Sequence, residues 1–294
     1  MYFRRLPCRM QQPTQKRSPT EHGSTRNGVT GRHPPSDFCD VSEVAGEPIS
    51  PEQLQRLCHR YFWALEHCRD RDAVELACGT GPGLGILAKA ARSFDAGDFS
   101  GQMVERVRRH YGSRIRIQQF AAQDMPYPDH SRDVIVIFEA LYYLPDAGAF
   151  FRECRRVLRP GGRLLIVTAN KDLADFNPSP HSHRYLGAAE LHQELGCEGF
   201  SIRCLGHLDV GTLSLRQKIL RPIKKLAVAS GLMPKTMRGK RLLKRLVFGQ
   251  PVPMPAELTE DMQPADVAST LVTLPPGVAD QRHKVIYCEA TLPT

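Results

Sequence analysis

Val74 to Gly81 reads V-E-L-A-C-G-T-G, and Asp98 follows in the run D-F-S-G-Q-M. An apolar stretch that runs straight into a glycine turn leaves a chain few ways to fold. Ala73 to Ala77 is apolar apart from Glu75, as a strand buried in a parallel sheet is. Gly79 and Gly81 permit positive φ and carry no Cβ that would hold a ligand off the backbone. A helix expected over residues 83–92 then aims its free N–H groups at whatever the turn holds. A second strand is expected over residues 93–98, and a carboxylate at its end accepts hydrogen bonds from a ribose diol. This layout cradles a nucleoside at the carboxyl edge of a parallel sheet.

The same turn also raises the dinucleotide fingerprint G-x-G-x-x-G. Counted from Gly79, the third glycine position holds Leu84; counted from Gly81, it holds Ile86. Both fail. What stands instead is an acidic residue four positions before Gly79, with Ala77 at the first small position. Beyond Asp98, Ser100 is placed to cap a helix whose face is Met103, Val104, Val107 and Tyr111.

The motifs continue in order. Ala121 to Asp146 reads A-A-Q-D-M-P-Y-P-D-H-S-R-D-V-I-V-I-F-E-A-L-Y-Y-L-P-D, and Arg156 to Val167 reads R-V-L-R-P-G-G-R-L-L-I-V. With the glycine turn and the D-x-S-x-x-M run, these stretches resemble the class I S-adenosylmethionine (SAM)-dependent methyltransferases, in the quinone- and secondary-metabolite-type group. The resemblance covers about residues 73–205 and a last strand. It implies a Rossmann-like α/β fold with a seven-stranded, mostly parallel sheet and an antiparallel last strand. It implies SAM as cofactor and no metal. By position it assigns Glu75 to the methionine amino end, and the backbone at Ala77, Cys78, Gly79 and Gly81 to the methionine portion and ribose. Asp98 takes the ribose hydroxyls, Phe99 and Met103 flank adenine, and Ala122 and Gln123 lie on its edge. Phe138 and Glu139 fall under the methyl donor. One departure is plain: Ala121 stands where the family usually has an aspartate that accepts from the adenine amino group, and Arg132 replaces a usual phenylalanine.

The acceptor side is less explicit. Tyr142 and Tyr143 follow the fourth strand and either line the acceptor pocket or pack in the next turn. His181 and His183, in the loop Asp175 to Tyr185, are candidate general bases because imidazole titrates near working pH; the alternative is a structural loop histidine. Asn177-Pro178 falls one strand too late for the N/D-P-P-Y/F signature of nucleic-acid amino-methyltransferases.

The net charge of +9 is segmental. Residues 1–35 hold seven Lys/Arg against Glu21, and residues 211–256 hold eleven and no acid. The remainder is net acidic. Residues 1–37, poor in apolar side chains, are expected to be a disordered basic tail, either an Arg-rich targeting segment or without function. Residues 38–72 form an N-terminal helical cap, with Ser50 as its N-cap and Leu54, Leu57, Cys58, Tyr61, Phe62 and Leu65 as its stripe, a lid or wall beside the SAM site or a plain core helix. The core is 73–205, a helical insertion between strands six and seven covers 206–283, and 284–294 is the final strand. Within the insertion, Ile219, Ile223, Leu226 and Ala227 share one helical face and Leu242, Leu243, Leu246 and Val247 another. Such cationic amphipathic helices suit a membrane surface or an acidic partner, or else dock on the core with the charge in water. Aromatic residues are nearly absent there, which argues against a nucleic-acid stacking surface. Nine scattered cysteines without C-x-x-C spacing point to a reducing, cytoplasmic compartment rather than a disulfide or zinc framework.

These features converge on a SAM-dependent methyltransferase for a small organic acceptor, anionic or lipid-borne, methylated at O, C or N by single displacement. The competing readings are an RNA or protein methyltransferase, and a non-catalytic SAM-fold binding or assembly module.

Overall fold

A computed structural model describes residues 44–212 and 250–294. The expected N-terminal tail and both amphipathic faces of the insertion lie outside the described residues.

In chain order, β1 (Pro48–Ile49) and α1 (Pro51–Cys68) lead into the α/β alternation: β2 (Asp72–Leu76), α2 (Leu84–Ala90), β3 (Ser93–Asp98), α3 (Gly101–Tyr111), β4 (Arg116–Gln119) and β5 (Arg132–Phe138). Then follow α4 (Ala147–Val157), β6 (Leu158–Ala169), α5 (Ala188–Cys197), β7 (Ser201–Asp209), β8 (Val252–Pro253), β9 (Val272–Thr273) and β10 (His283–Thr291). The main sheet runs β4-β3-β2-β5-β6-β10-β7-β9. Strands β2 to β6 pair in parallel, whereas β10 is antiparallel to both β6 and β7. The order reverses on either side of β2, so the carboxyl ends of β2 and β5 flank the crevice where such sheets take ligands.

Local chemistry sets the helix starts. Ser50 Oγ accepts from Gln53 N while Gln53 Oε1 accepts from Ser50 N, a reciprocal box that Pro51 at the first turn supports. Ser100 caps α3 through Met103 N, and Asp146 caps α4 through Ala149 N. The sheet's two faces follow the period of two. Val74, Leu76, Ile135 and Ile137 pack with α4 and α5; Ala73, Val134, Val136 and Val167 pack with α1.

Three differences from the sequence reading concern the sheet. Strand β6 begins at Leu158 rather than residue 162, because Leu158 already pairs with Arg132; residues 159–162 bulge, with Gly161 at φ +74°, before the ladder resumes at Arg163 and Val134. Strand β7 runs to Asp209, past the expected insertion boundary at 206. The seven expected strands gain a two-residue edge strand, β9, paired at Leu205 and Gly206. The described return of the insertion, 250–282, is pinned by tertiary contacts. Strands β1 and β8 pair, Gly46 N donates to Met254 O at 2.8 Å, and Leu258 N donates to Pro82 O at 2.6 Å. Among the described residues no helix is long and apolar enough to cross a membrane.

Candidate active site

Glu75 lies on the face of β2 that α1 covers, and it is buried. The Tyr61 hydroxyl of α1 donates to its Oε1 at 2.7 Å, and Oε2 is buried with no hydrogen-bond partner. Burial raises the Glu75 carboxyl to about 8; the Asp98 charge adds to the rise, and the Tyr61 bond and Arg60 oppose it. Burial, then the Glu75 charge, hold the Tyr61 phenol well above its usual value, so it acts as donor. A buried carboxylate oxygen with no partner is a site prepared for a cationic hydrogen-bond donor.

The turn after β2 needs its glycines. Gly79 sits at φ +56° and Gly81 at +69°, and Ala77 takes +50° although it bears a Cβ. At Gly83 an added Cβ would fall 2.2 Å from the Tyr61 ring, so the turn and α1 approach closely there. The turn is tied to the rim: Gly79 N donates to Asp98 Oδ2 and Ser100 N to Asp98 Oδ1, both at 2.8 Å. Tyr111 OH donates to Gly81 O at 2.6 Å. Asp98 thus spans the glycine turn and the start of α3. Cys78 packs here as a buried thiol that burial pushes well above its usual range.

The structure therefore brings together Glu75, Ala77, Cys78, Gly79, Gly81 and Asp98. Met103 is buried, while Phe99 is 56% exposed and presents its ring at the rim. Phe120 N donates to Asp98 O at 3.2 Å, which carries residues 121–123 alongside. Ala122 is buried and Gln123 half-buried; Ala121 O accepts from Asp124 N at 2.9 Å, closing that turn through backbone. Phe138 meets the Tyr61 ring edge-on at 5.3 Å.

Glu139 belongs to a different cluster from Glu75. At φ +49°, its carboxylate accepts from Arg56 Nη2 of α1 at 2.6 Å and from Tyr142 OH at 3.3 Å. Tyr142 stacks on Tyr185 with ring centres 4.1 Å apart, and Tyr143 OH shares a 3.0 Å bond with Ser179 Oγ. The loop 176–185 is latched to this turn: His183 N donates to Tyr142 O at 2.8 Å, while the His183 side chain is exposed. His181 is half-buried in the same loop. Tyr142 and Tyr143 thus stand together beside Glu139, and the histidines lie on the loop outside them.

Sequence reasoning missed Tyr61 and Arg56 as site residues. Tyr61 had been placed on an apolar stripe, yet a buried tyrosine hydroxyl must find a partner, and that signal was present. Among the described residues no group of three or more His, Cys, Asp or Glu side chains is placed to hold a metal.

Comparison with known proteins agrees with this geometry. A family model described as a methyltransferase domain matches residues 74–166. A probable SAM-dependent methyltransferase of Mycolicibacterium smegmatis is 38% identical over 154 residues, 50% of this chain and 56% of that protein. The 27-O-demethylrifamycin SV methyltransferase of Amycolatopsis mediterranei is 35% identical over 151 residues, 49% of this chain and 53% of its own. The chain thus spans little more than half the length of these two relatives. The YcgJ protein of Bacillus subtilis superposes with a TM-score of 0.51 over 80% of this chain and 99% of its own, at 16% identity, a likeness of fold. Residues 74–166 thus carry a methyltransferase domain, and these likenesses support the class I SAM-dependent methyltransferase family.

Proposed function

We propose that this chain transfers a methyl group from SAM to a small organic acceptor by single displacement. The observation that carries the reading is the pair of carboxylates at the switch point. Glu75 offers a buried, unpartnered oxygen suited to an ammonium, and Asp98, 8% exposed, places a carboxylate at the glycine turn, a group suited to a diol. Glu75 would hold the methionine amino group, Asp98 the ribose, and Phe99 and Met103 the adenine faces. Gln123 and the backbone at Ala122 would line the adenine edge, where Ala121 supplies no side-chain acceptor.

When bound, SAM supplies an electrophilic methyl on a sulfonium. The protein's contribution is to align an acceptor with it and exclude water; well-oriented pairs gain up to roughly 7–11 kcal/mol. The acceptor side is the cluster at the end of β5, with Glu139, Tyr142 and Tyr143, under the loop that carries His181 and His183.

The basic stretch 211–256 supports an anionic or lipid-borne acceptor and contact with an anionic membrane surface. Flotation with phosphatidylserine vesicles at low and high salt tests this, and indifference to the anionic lipid removes it.

Calorimetry with SAM and S-adenosylhomocysteine tests the main reading. Binding of both in the micromolar range is expected, with weaker binding for Glu75→Gln. Absence of binding at millimolar concentration would favour a non-catalytic module.

A further inference from the structure

Resting on the methyl-transfer reading, we infer that Glu139 is the acceptor-side base, positioned by Arg56 beside the Tyr142–Tyr185 stack, and that the acceptor is a hydroxyl compound with a flat ring, methylated on oxygen.

Four observations carry this. The first is place. Glu139 follows β5, the strand paired with β2, and Phe138 touches Tyr61, which in turn holds Glu75. The carboxylate therefore stands at the same rim as the cofactor residues, one aromatic contact away from them.

The second is backbone strain. A glutamate at φ +49° is held in a conformation that side chains with a Cβ avoid, and its N–H is fixed to Val167 O at 2.7 Å. Such strain gathers where a side chain must be aimed.

The third is charge. Arg56 Nη2 lies 2.6 Å from Glu139 Oε1, so the carboxylate already has its cation. A protonated amine gains little from a neutralised carboxylate, whereas a hydroxyl needs only an acceptor lone pair. That lone pair is on Oε2, which Tyr142 OH meets at a long 3.3 Å. Burial, then the Glu139 charge, keep the Tyr142 phenol protonated, so it is a donor that an incoming hydroxyl displaces or joins.

The fourth is shape. Tyr142 and Tyr185 stack at 4.1 Å with planes 19° apart, and Phe176 meets Tyr185 edge-on at 4.7 Å. Tyr142 and Tyr185 cover each other's facing sides, so the stack offers an acceptor ring only its outer side, where Tyr185 is half-buried; an aromatic surface beside a carboxylate favours an aromatic hydroxyl.

The step balances. The acceptor oxygen forms a bond to the methyl carbon, and the carbon–sulfur bond breaks with its electron pair left on sulfur, which becomes neutral. The acceptor proton passes to Glu139 Oε2 and from there to water. Glu139 touches the acceptor in this scheme; Arg56 acts through Glu139 and is a positioning residue.

The test uses the full chain loaded with S-adenosylhomocysteine. Phenol, catechol and 2-naphthol are each compared with their methyl ethers by ligand-observed NMR. The expected result is that at least one hydroxyl compound outbinds its ether by tenfold or more. Glu139→Gln abolishes that preference while S-adenosylhomocysteine still binds, with a loss of affinity much smaller than for Glu75→Gln, and Glu139→Asp restores part of it. With methyl-labelled SAM, the compound that binds is converted to its labelled ether, and Glu139→Gln slows this by about 10²-fold or more, the usual worth of a general base. Retained S-adenosylhomocysteine binding in Glu139→Gln also shows that the variant is folded. No discrimination between hydroxyl compounds and ethers, discrimination that survives Glu139→Gln, or label appearing on nitrogen or carbon overturns the inference alone. Wild-type protein that fails to bind S-adenosylhomocysteine overturns the methyl-transfer reading beneath it.

Discussion

The Tyr61 hydroxyl donates to Glu75 Oε1 at 2.7 Å, joining the N-terminal helix to the first core strand under the glycine turn. The bond satisfies one oxygen and leaves Oε2 buried without a partner. Burial lifts the carboxyl to about 8, so below that pH it is largely protonated in the ligand-free protein. The folded value lies above the unfolded one near 4.3. This group's ionisation therefore weakens the ligand-free fold as pH rises from about 4.5 to about 8, by on the order of a few kcal/mol. A bound ammonium reverses the preference. SAM binding is expected to release up to one proton below pH 8, and its affinity to rise with pH and level off above that. Calorimetry in buffers of different ionisation enthalpy measures the proton. Glu75→Gln should abolish the release and melt at a higher temperature than wild type at pH 8.5 without ligand. Equal proton release in both proteins would refute the assignment.

Asp98 accepts from Gly79 N and Ser100 N at once, which only a group with two acceptor oxygens does. Asp98→Asn turns an NH₂ toward one of those N–H groups and removes the charge that a diol needs. Bonds to charged groups are worth about 1.5–3 kcal/mol each. Binding of S-adenosylhomocysteine is expected to weaken about 10–100-fold. Methylthioadenosine, which keeps the ribose and lacks the amino acid, separates the two carboxylates. Asp98→Asn should weaken its binding by a similar factor, and Glu75→Gln should leave it nearly unchanged.

The elements that repeat with a clear period were legible before the structure. Strand β2 and the glycine turn, α3 with its Ser100 cap, and β5 were read from apolar spacing and caps, because those signals sit within a few residues. Asp98 was read at the rim from its place at the end of a strand, while the role of Glu75 came from the family resemblance. The Arg56–Glu139 pair was not, since its partners are 83 positions apart and neither lies in a pattern. The Tyr61–Glu75 bond spans only 14 positions, yet it depends on how steeply α1 crosses the sheet. Strands β1, β8 and β9 have two residues each, too short to show a period, and exist only through their pairing. The positive φ of Glu139 had no signal, because it is not glycine, whereas Ala77 stands where the family pattern has a glycine.

Gly85 is a contact point between α2 and the return segment after the 213–249 stretch. An added Cβ would lie 1.8 Å from Glu257 Oε1. Glu257 is not free to move, because its carboxylate accepts from His110 Nε2 at 3.0 Å and from Arg114 Nη1 and Nη2 at 3.1 and 3.0 Å. Gly85→Ala must therefore dislodge a carboxylate that ties the end of α3 to the return segment. A loss of about 1–3 kcal/mol in urea unfolding is expected, as for other overpacked sites. In a Glu257→Ala background the clash disappears, and Gly85→Ala should cost nothing or stabilise by up to about 1 kcal/mol through helix propensity. The cycle thus predicts a coupling of at least about 1 kcal/mol between the two positions. Additive losses would show that the return segment does not rest on α2.

His59 links α1 to the segment before β9, and its proton state is fixed by its neighbours. Nε2 lies 2.8 Å from Thr270 Oγ1, whose hydrogen goes to Val267 O, and 3.1 Å from Val267 O itself, so Nε2 carries the hydrogen and Nδ1 accepts from Tyr287 OH at 2.7 Å. The ring stacks on His207 at 3.8 Å. Burial, then the His207 charge, lower His59 to about 4, against the opposing pull of Val267 O. A histidine whose folded value lies below its unfolded one near 6.5 binds fewer protons when folded. Its contribution is fully present above pH 6.5 and is lost as pH falls toward 4, by about 3 kcal/mol at most. His59→Gln keeps a donor and an acceptor but does not titrate. Wild type is expected to lose several degrees of Tm between pH 7 and pH 4.5, and His59→Gln to lose distinctly less over the same range. Parallel curves for the two proteins would assign the acid sensitivity elsewhere, His207 being the next group to replace.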